Sequence, residues 1–148
     1  MQDRNSCKHP IPTVDLIVSN HAGAIALIER AFPPYGWALP GGFVDPGESC
    51  AEAAVREGQE ELSIRVNLEG QLGTYSDPGR DPRMHTLSVV FMARPAETEA
   101  LEGADDARRA AWFSKEEIPW NALCFDHGQI LRDYWTRMEN CSRCGGER

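Results

Sequence analysis

The sequence predicts an α/β domain of the α+β type, in which a mixed sheet is covered by helices. Apolar stretches rich in β-branched residues recur along the chain, two segments have the period of an amphipathic helix, and Gly- and Pro-rich turns separate them irregularly. The 148 residues are 41% hydrophobic and 26% charged, which is ordinary for a globular protein. We therefore expect residues 1–148 to form a single domain, with flexible tails at 1–9 and 140–148.

The charge of the chain argues against several classes of partner. Acidic side chains outnumber basic ones by 23 to 15, for a net charge of −8. We therefore expect neither a nucleic acid polymer nor a membrane as partner, since both surfaces are anionic. No apolar run approaches the roughly 18 residues of a membrane span, and the polar N-terminus carries no secretion signal. A cytoplasmic protein is predicted, and small anionic ligands fit this charge if a metal ion or a few arginines hold them.

The strand signals alternate with turns. Residues 12–18 and 24–28 are predicted strands, and residues 20–23 between them form a hairpin signal. A short strand at 37–43 is interrupted by a Pro-Gly-Gly turn. The remaining predicted elements are strands at 64–75, 86–93 and 110–113, helices at 49–62 and 126–138, and an acidic loop at 95–109. A loop of that length is usually functional or disordered.

The helix at 49–62 carries the first chemical signal. Glu57, Glu60 and Glu61 stand at i, i+3 and i+4, so their carboxylates project from one helix face. Like charges at this spacing destabilise a bare helix, but divalent cations bound among them would offset the repulsion. Ligands that offer only oxygen favour hard ions, which predicts Mg²⁺ or Mn²⁺. The alternative is an acidic face that is simply solvated.

The residues around this helix favour the metal site over a solvated face. They match the pattern G-x5-E-x7-R-E-U-x-E-E-x-G-U, in which U is apolar, through Gly42, Glu48, Arg56, Glu57, Glu60 and Glu61. Six such matches arise by chance about once in 10⁴ chains of this length. The chain therefore resembles the Nudix hydrolases. It departs from their pattern at Gly58, where an apolar residue is usual, and at Ser63, where glycine is usual.

This resemblance implies a fold, a reaction and a set of site residues. Nudix hydrolases cleave a nucleoside diphosphate linked to another group by attack of water at phosphorus. Their fold is an αβα sandwich with a mixed, curved sheet between helices. The matching positions imply that a divalent metal is held by Glu57, Glu60, Glu61 and the carbonyl of Gly41. Arg56 and Glu48 would hold the carboxylates in place.

A second motif refines the expected substrate. Residues 76–85 are similar to the S-D-P-x-R-D-P-R-x-H segment of the small ADP-ribose pyrophosphatases, except that Met84 replaces the usual glycine. Guanidinium groups bind phosphate in a bidentate manner, so Arg80 and Arg83 are candidate substrate ligands. Asp81 would hold an arginine or a ribose hydroxyl. His85 would contact substrate or serve a structural role.

Two further roles stay open. Trp37, Tyr35 and Phe43 are candidates to stack on adenine, although each residue type is more often part of a core. The general base would be Glu102, Asp105 or Asp106 on the acidic loop, or Glu57 through a metal-bound water.

The resemblance therefore implies hydrolysis of ADP-ribose to AMP and ribose 5-phosphate, with a small-molecule nucleotide as partner. Nucleoside triphosphates, dinucleoside polyphosphates and NADH are alternative substrates for the same scaffold. A different class is a non-catalytic sensor that binds ADP-ribose to control a partner. Many members of the family are homodimers, so a homodimer is expected by analogy.

The cysteines allow one further metal hypothesis. Cys141 and Cys144 form a CxxC pair, and Cys7 with His9 would complete a zinc site if the termini meet. The alternative is a frayed tail with free thiols.

Overall fold

The computed structural model describes residues 9–103 and 107–144. The helices and strands follow in the order β1 (Ile11–Val18), β2 (Ile25–Arg30), β3 (Trp37–Ala38), β4 (Gly41–Phe43), α1 (Cys50–Leu62), β5 (Val66–Tyr75), β6 (Thr86–Pro95), β7 (Ala107–Phe113) and α2 (His127–Cys144). Two 3-10 turns, Lys115–Glu117 and Trp120–Ala122, lie between β7 and α2. This alternation of short strands and two longer helices is the one that the sequence predicts.

The strands form two sheets. The larger sheet has the order β4-β1-β6-β5, in which β1 runs parallel to β6 and the other neighbours are antiparallel. The smaller sheet, β3-β2-β7, is antiparallel throughout. The predicted mixed sheet is therefore confirmed.

The side chains of β1 alternate between two cores. Val14, Leu16 and Val18 pack in one hydrophobic cluster with residues of α1, whereas Ile17 packs in a second cluster with residues of α2. Successive side chains of a strand point to opposite faces of its sheet, so a strand with helices on both sides must be apolar on both faces. The predicted arrangement of a sheet between helices is confirmed. Asp15 lies within this otherwise apolar strand, and it is itself buried.

The predicted hairpin between the first two strands is only partly correct. The turn is present, because the side-chain oxygen of Asn20 accepts hydrogen bonds from the amides of Ala22 and Ala24. Beyond one antiparallel bridge between Ser19 and Ile25, however, β1 and β2 diverge into different sheets. Each strand pairs instead with elements far along the chain, and a local turn signal cannot predict such partners.

The C-terminal helix is longer than predicted. It continues to Cys144, so the predicted end of the helix at residue 138 is wrong and residues 140–144 are helical. Cys141 and Cys144 are both exposed and free on this last turn. Cys7 lies outside the described residues, so the proposed zinc site stays a prediction. Among the described helices, none is both long and apolar enough to cross a membrane.

Candidate active site

A cavity of about 140 Å³ opens where β1, β2, β4 and α1 meet the start of α2. The segment from Arg80 to Arg83 closes another side of it. Its ionisable lining consists of four carboxylates, three arginines and one histidine: Asp15, Glu57, Glu61, Asp81, Arg30, Arg80, Arg83 and His127. Positively and negatively charged side chains therefore line the same small cavity, which suits an anionic ligand bound together with a cation.

The N-terminus of α1 is fixed by its own sequence. The hydroxyl of Ser49 accepts a hydrogen bond from the amide of Glu52, and the Glu52 carboxylate accepts one from the amide of Ser49. This is a capping box, which satisfies two amide groups that a helix end leaves without partners. Since Glu52 is used here, Arg56 four residues later is left for other carboxylates.

Two of the predicted glutamates reach the cavity together. Glu57 and Glu61 are one helical turn apart and buried, and both line the cavity. The amide of Gly41 donates a hydrogen bond of 2.9 Å to Glu61, while the α-carbon of Gly42 lies directly against the Glu57 carboxylate. The two glycines that begin β4 therefore contact both carboxylates.

Arg56 ties the glutamates into one network. Its guanidinium donates two hydrogen bonds to Glu48, at 2.8 and 2.7 Å, and further bonds to Glu57 at 2.9 Å and Glu60 at 3.1 Å. A fifth bond reaches the backbone carbonyl of Phe43. The bidentate contact with Arg56 and a hydrogen bond from the Asp45 amide lower the pKa of Glu48 to about 2. Glu48 and Glu57 raise the pKa of Arg56 above its ordinary value, so its guanidinium stays charged.

Glu60 is placed differently from the other two glutamates. Its side chain is 41% exposed and lies against Arg56 instead of lining the cavity. Within residues 9–103 and 107–144, no three His, Cys, Asp or Glu side chains are grouped closely enough to hold a metal ion. Glu57 and Glu61 bring carboxylate oxygens to the cavity, and Gly41 also lines it. Such oxygen donors fit a hard divalent cation that keeps water or phosphate oxygens as its remaining ligands.

Arg80 lies beneath the cavity in a buried network. Its guanidinium donates two hydrogen bonds to Asp126, at 3.0 and 2.8 Å, and contacts Asp15 at 3.3 Å and the Thr86 hydroxyl at 2.7 Å. Burial lowers the pKa of Arg80, but the carboxylates of Asp126 and Asp15 outweigh burial and keep it above its ordinary value. Arg80 therefore joins β1, β6 and the residue before α2.

Asp15 is the centre of the same network. It accepts a hydrogen bond from Ser88 and lies 3.3 Å from Nε2 of His127. The amide of Leu39 donates to Nδ1 of His127, so Nε2 is the ring nitrogen that faces Asp15. Burial raises the pKa of Asp15, but the contacts with His127, Ser88 and Arg80 outweigh it and hold the pKa below its usual range.

Arg83 lies on the more exposed side of the cavity. The guanidinium of Arg83 donates hydrogen bonds of 3.0 and 2.8 Å to Asp81. It also lies 5.3 Å from the ring centre of Phe125. Arg30 stands 5.0 Å from the same ring centre. Burial and the charge of Arg83 both lower the pKa of Arg30. Two cations thus share one aromatic ring, and an anion between them would relieve their repulsion.

Comparison with known proteins identifies this arrangement. A model of the NUDIX domain matches residues 9–134. The chain belongs to the Nudix family. The loop between β4 and α1, the helix α1 and its C-terminal turn are therefore the Nudix box, as the sequence predicts.

Similar proteins support the predicted class of enzyme. The chain is 42% identical to the ADP-ribose pyrophosphatase of Methanocaldococcus jannaschii over 128 residues, which cover 85% of this chain and 73% of the relative. It is 30% identical to the ADPR responsive transcriptional repressor NtrR of Acinetobacter baylyi over 141 residues, which cover 90% of this chain and 56% of the repressor. The family match and the similarity to the pyrophosphatase confirm a Nudix pyrophosphohydrolase.

A solved structure supports the same fold. The bifunctional NMN adenylyltransferase/ADP ribose pyrophosphatase from Francisella tularensis, complexed with AMP and a manganese ion, superposes with a TM-score of 0.76 at 28% identity. The match covers 92% of this chain and 43% of that one. The Nudix fold therefore extends over nearly the whole chain.

Most of the other predicted site residues that the structure describes do not line the Nudix cavity. Trp37 packs edge-on against Phe113, with ring centres 4.8 Å apart, and His85 bonds the carbonyl of Ser76 at 2.9 Å. Glu102 is exposed, and its amide donates to the carbonyl of Leu62 at the end of α1. Asp105 and Asp106 lie outside the described residues. Of the three aromatic candidates for adenine, Phe43 lines the cavity, whereas Tyr35 is exposed.

Among the ionisable and aromatic residues that line the cavity, the sequence assigns no role to four: Asp15, Arg30, Phe125 and His127. Asp15 had a usable signal, since a lone carboxylate in an apolar strand is rarely buried without a partner. Phe125 and His127 flank Asp126 just before α2, and no local pattern in the sequence assigns them a role. Arg30 ends an ordinary strand and had no signal of its own.

Proposed function

We propose that this chain hydrolyses ADP-ribose to AMP and ribose 5-phosphate with Mg²⁺ or Mn²⁺. The observation that carries the proposal is one cavity that combines the box carboxylates Glu57 and Glu61 with the arginines Arg30 and Arg83. A pyrophosphate needs both, because its charge must be neutralised while water attacks phosphorus. The 42% identity to a protein named ADP-ribose pyrophosphatase supports this substrate.

The metal would be held by oxygen donors of the Nudix box. Glu57, Glu61 and the Gly41 backbone are the proposed direct ligands, and Glu60 would act through water because it lies beside Arg56. A bound divalent cation lowers the pKa of water and stabilises charge on the phosphates. Arg56 and Glu48 keep the carboxylates oriented, since Arg56 contacts Glu48, Glu57 and Glu60.

The proposed substrate contacts lie on the arginine side. Arg83 and Arg30 would bind the diphosphate, and Asp81 would orient Arg83 through its two hydrogen bonds. Arg80 would position this segment instead of contacting phosphate, because two carboxylates already accept its hydrogen bonds. Trp37 and His85 would support the surrounding structure.

The proton acceptor is proposed among the box residues. Glu57 is buried in the cavity, whereas Glu102 is exposed on the loop after β6. We therefore place the general base at Glu57 and expect a Glu102→Gln variant to retain its activity. Asp105 and Asp106 are the remaining candidates from the sequence. The activity of Asp105→Asn and Asp106→Asn variants tests them in the same way.

Two parts of the proposal concern the surroundings of the protein. The four cysteines in the described part of the chain are free, which supports a reducing compartment such as the cytoplasm. A homodimer is proposed by analogy with the family, and sedimentation equilibrium would measure it.

The test is product analysis after incubation of the purified chain with ADP-ribose and Mg²⁺, with an EDTA control. AMP and ribose 5-phosphate that form only without EDTA are the expected result. Other nucleotide products from a panel of NADH, nucleoside triphosphates and dinucleoside polyphosphates would assign a different substrate. Binding of ADP-ribose without any product would favour a sensor, a class that the 30% identity to an ADPR responsive repressor makes the second candidate.

A further inference from the structure

A second cleft lies outside the Nudix cavity, between the two 3-10 turns and the outer face of α2. Its volume is about 490 Å³, within the range of small-molecule sites. It is lined by Lys115, Trp120, Arg132, Trp135, Thr136 and Glu139. None of these residues lines the cavity that contains Glu57 and Glu61, so the cleft is a separate feature.

Two indoles form the apolar wall of this cleft. The ring centres of Trp120 and Trp135 are 6.0 Å apart, with 60° between the ring planes. Trp120 is 36% exposed, although burial of an indole is strongly favourable. Two neighbouring tryptophans at a concave surface therefore offer a stacking face to a planar ligand.

Cations border both indoles. The Arg132 guanidinium lies 4.9 Å from the Trp120 ring centre, and Lys115 Nζ lies 5.4 Å from that of Trp135. Lys115 is paired with Glu139 at 3.1 Å. In residues 9–103 and 107–144, no carboxylate lies within 4.0 Å of Arg132, so its charge has no ion-pair partner there. The cleft therefore combines a stacking surface with an uncompensated positive charge on a chain of net charge −8.

We propose that this cleft binds a free nucleotide, with the base stacked on Trp120 and the phosphate held by Arg132. Indoles stack on any base, and guanidinium groups bind phosphate, so this pairing matches a ligand that has both. A single nucleotide fits better than a nucleic acid strand, because a chain of net charge −8 repels a polyanion more strongly than it repels one nucleotide. The proposal does not depend on hydrolysis in the Nudix cavity.

The test is a titration of the full chain with AMP in the presence of EDTA. Binding is measured by calorimetry and by the quenching of tryptophan fluorescence. EDTA removes any cation that would bridge the nucleotide to Glu57 and Glu61, so this binding is measured apart from catalysis. Saturable binding at one site is expected. Trp120→Ala and Arg132→Gln should each weaken it by roughly ten- to a hundredfold, and Trp120→Phe should retain most of the affinity.

The matched control is Arg65→Gln, which removes an exposed arginine paired with Glu97 elsewhere on the surface. It should leave AMP binding unchanged, and all variants should keep the wild-type melting temperature within a few degrees. Absence of AMP binding at millimolar concentrations would overturn the proposal. So would equal weakening by Arg65→Gln, unchanged binding in both cleft variants, or binding of a short single-stranded oligonucleotide but not of AMP.

Discussion

The α-carbon of Gly42 lies in contact distance of the Glu57 carboxylate, and no larger residue fits between them. A methyl group at Gly42 would collide with Oε1 of Glu57 and lie 2.7 Å from its Cδ. The preceding glycine is equally confined, because a methyl group there would meet the carbonyl of Val14 and lie 2.6 Å from Oδ1 of Asp15. The Gly-Gly pair of the Nudix box thus gives α1 room to bring its carboxylates against β4.

Gly42→Ala should lower kcat on the order of a hundredfold, because the Glu57 carboxylate must move and displacements of about 1 Å are that costly at a reacting centre. The fold should persist, since the side chain that moves is flexible. Steady-state hydrolysis of ADP-ribose and circular dichroism measure the two effects. The matched control is Gly73→Ala in β5, where a methyl group would make only an ordinary contact of 3.9 Å with Tyr75. Equal losses in both variants would contradict a specific role for Gly42.

Substitution of Glu57 should reduce turnover much more than substitution of Glu60, although both residues belong to the acidic pattern of α1. Glu57→Gln is expected to abolish turnover, whereas Glu60→Gln should lower kcat by no more than about ten- to a hundredfold, as expected for a residue that supports a metal ligand. The reason is position, because Glu57 is buried in the cavity and Glu60 lies 41% exposed beside Arg56. Titration with Mn²⁺, followed by electron paramagnetic resonance, should show weaker metal binding in Glu57→Gln. Undiminished turnover in that variant would count heavily against the metal assignment.

The sequence predicts the carboxylate side of the site well because that side is local. Helical period, a capping box and a Gly-Gly turn lie within about twenty residues, and each constrains the next. The arginine side depends on distant partners. Arg80 and Arg83 look alike in the segment 76–85, yet Asp15 and Asp126, 65 and 46 residues away, bury Arg80 and leave Arg83 at the surface of the cavity. Local pattern does not contain that information.

The same limit explains the two errors in the fold. The turn at Asn20 was predictable, but whether β1 and β2 pair is decided by β6 and β7, which compete for their edges. The end of α2 was placed too early because the last turns, which include Cys141 and Cys144, are exposed and have no apolar periodicity. Helix ends without a cap or a glycine signal are poorly marked in a sequence.

Substitution of Arg80 should mainly lower the stability of the fold, whereas substitution of Arg83 should mainly weaken substrate binding. Arg80→Gln leaves the carboxylates of Asp15 and Asp126 without their cation in a buried site, so the free energy of unfolding should fall by about 3–5 kcal/mol. Arg83→Gln removes a guanidinium that is 37% exposed, so it should cost less than about 1 kcal/mol while KM for ADP-ribose rises. Urea denaturation and steady-state kinetics measure both. The reverse pattern would make Arg80 the substrate ligand.

The Glu48 carboxyl should remain ionised in acid. Its contacts with Arg56 lower its pKa from the ordinary 4.5 to about 2 in the folded protein. Because the folded pKa lies below the unfolded one, the stabilisation is fully present above pH 4.5 and is lost as the pH falls through about 2. Nuclear magnetic resonance of the side-chain carboxyl carbon should therefore give a midpoint near 2. In Arg56→Gln the midpoint should return toward 4.5, and a wild-type midpoint already near 4.5 would contradict the bidentate contact.

Ser63 should be replaceable by glycine with a gain in stability. It ends α1 with φ 58° and ψ 28°, and its amide donates to the carbonyl of Gln59. An L-residue in this left-handed conformation is strained by about 1 kcal/mol, which glycine avoids. Part of that gain is offset because glycine has more freedom in the unfolded chain. Ser63→Gly should thus raise the free energy of unfolding by about 0.5 kcal/mol.

The same substitution at Ser142, inside α2, should lower the free energy of unfolding by a similar amount, because glycine is the poorer helix former. Urea denaturation of both variants measures the two signs, and a loss of stability at Ser63 would mean that its side chain contributes more there than the backbone strain costs.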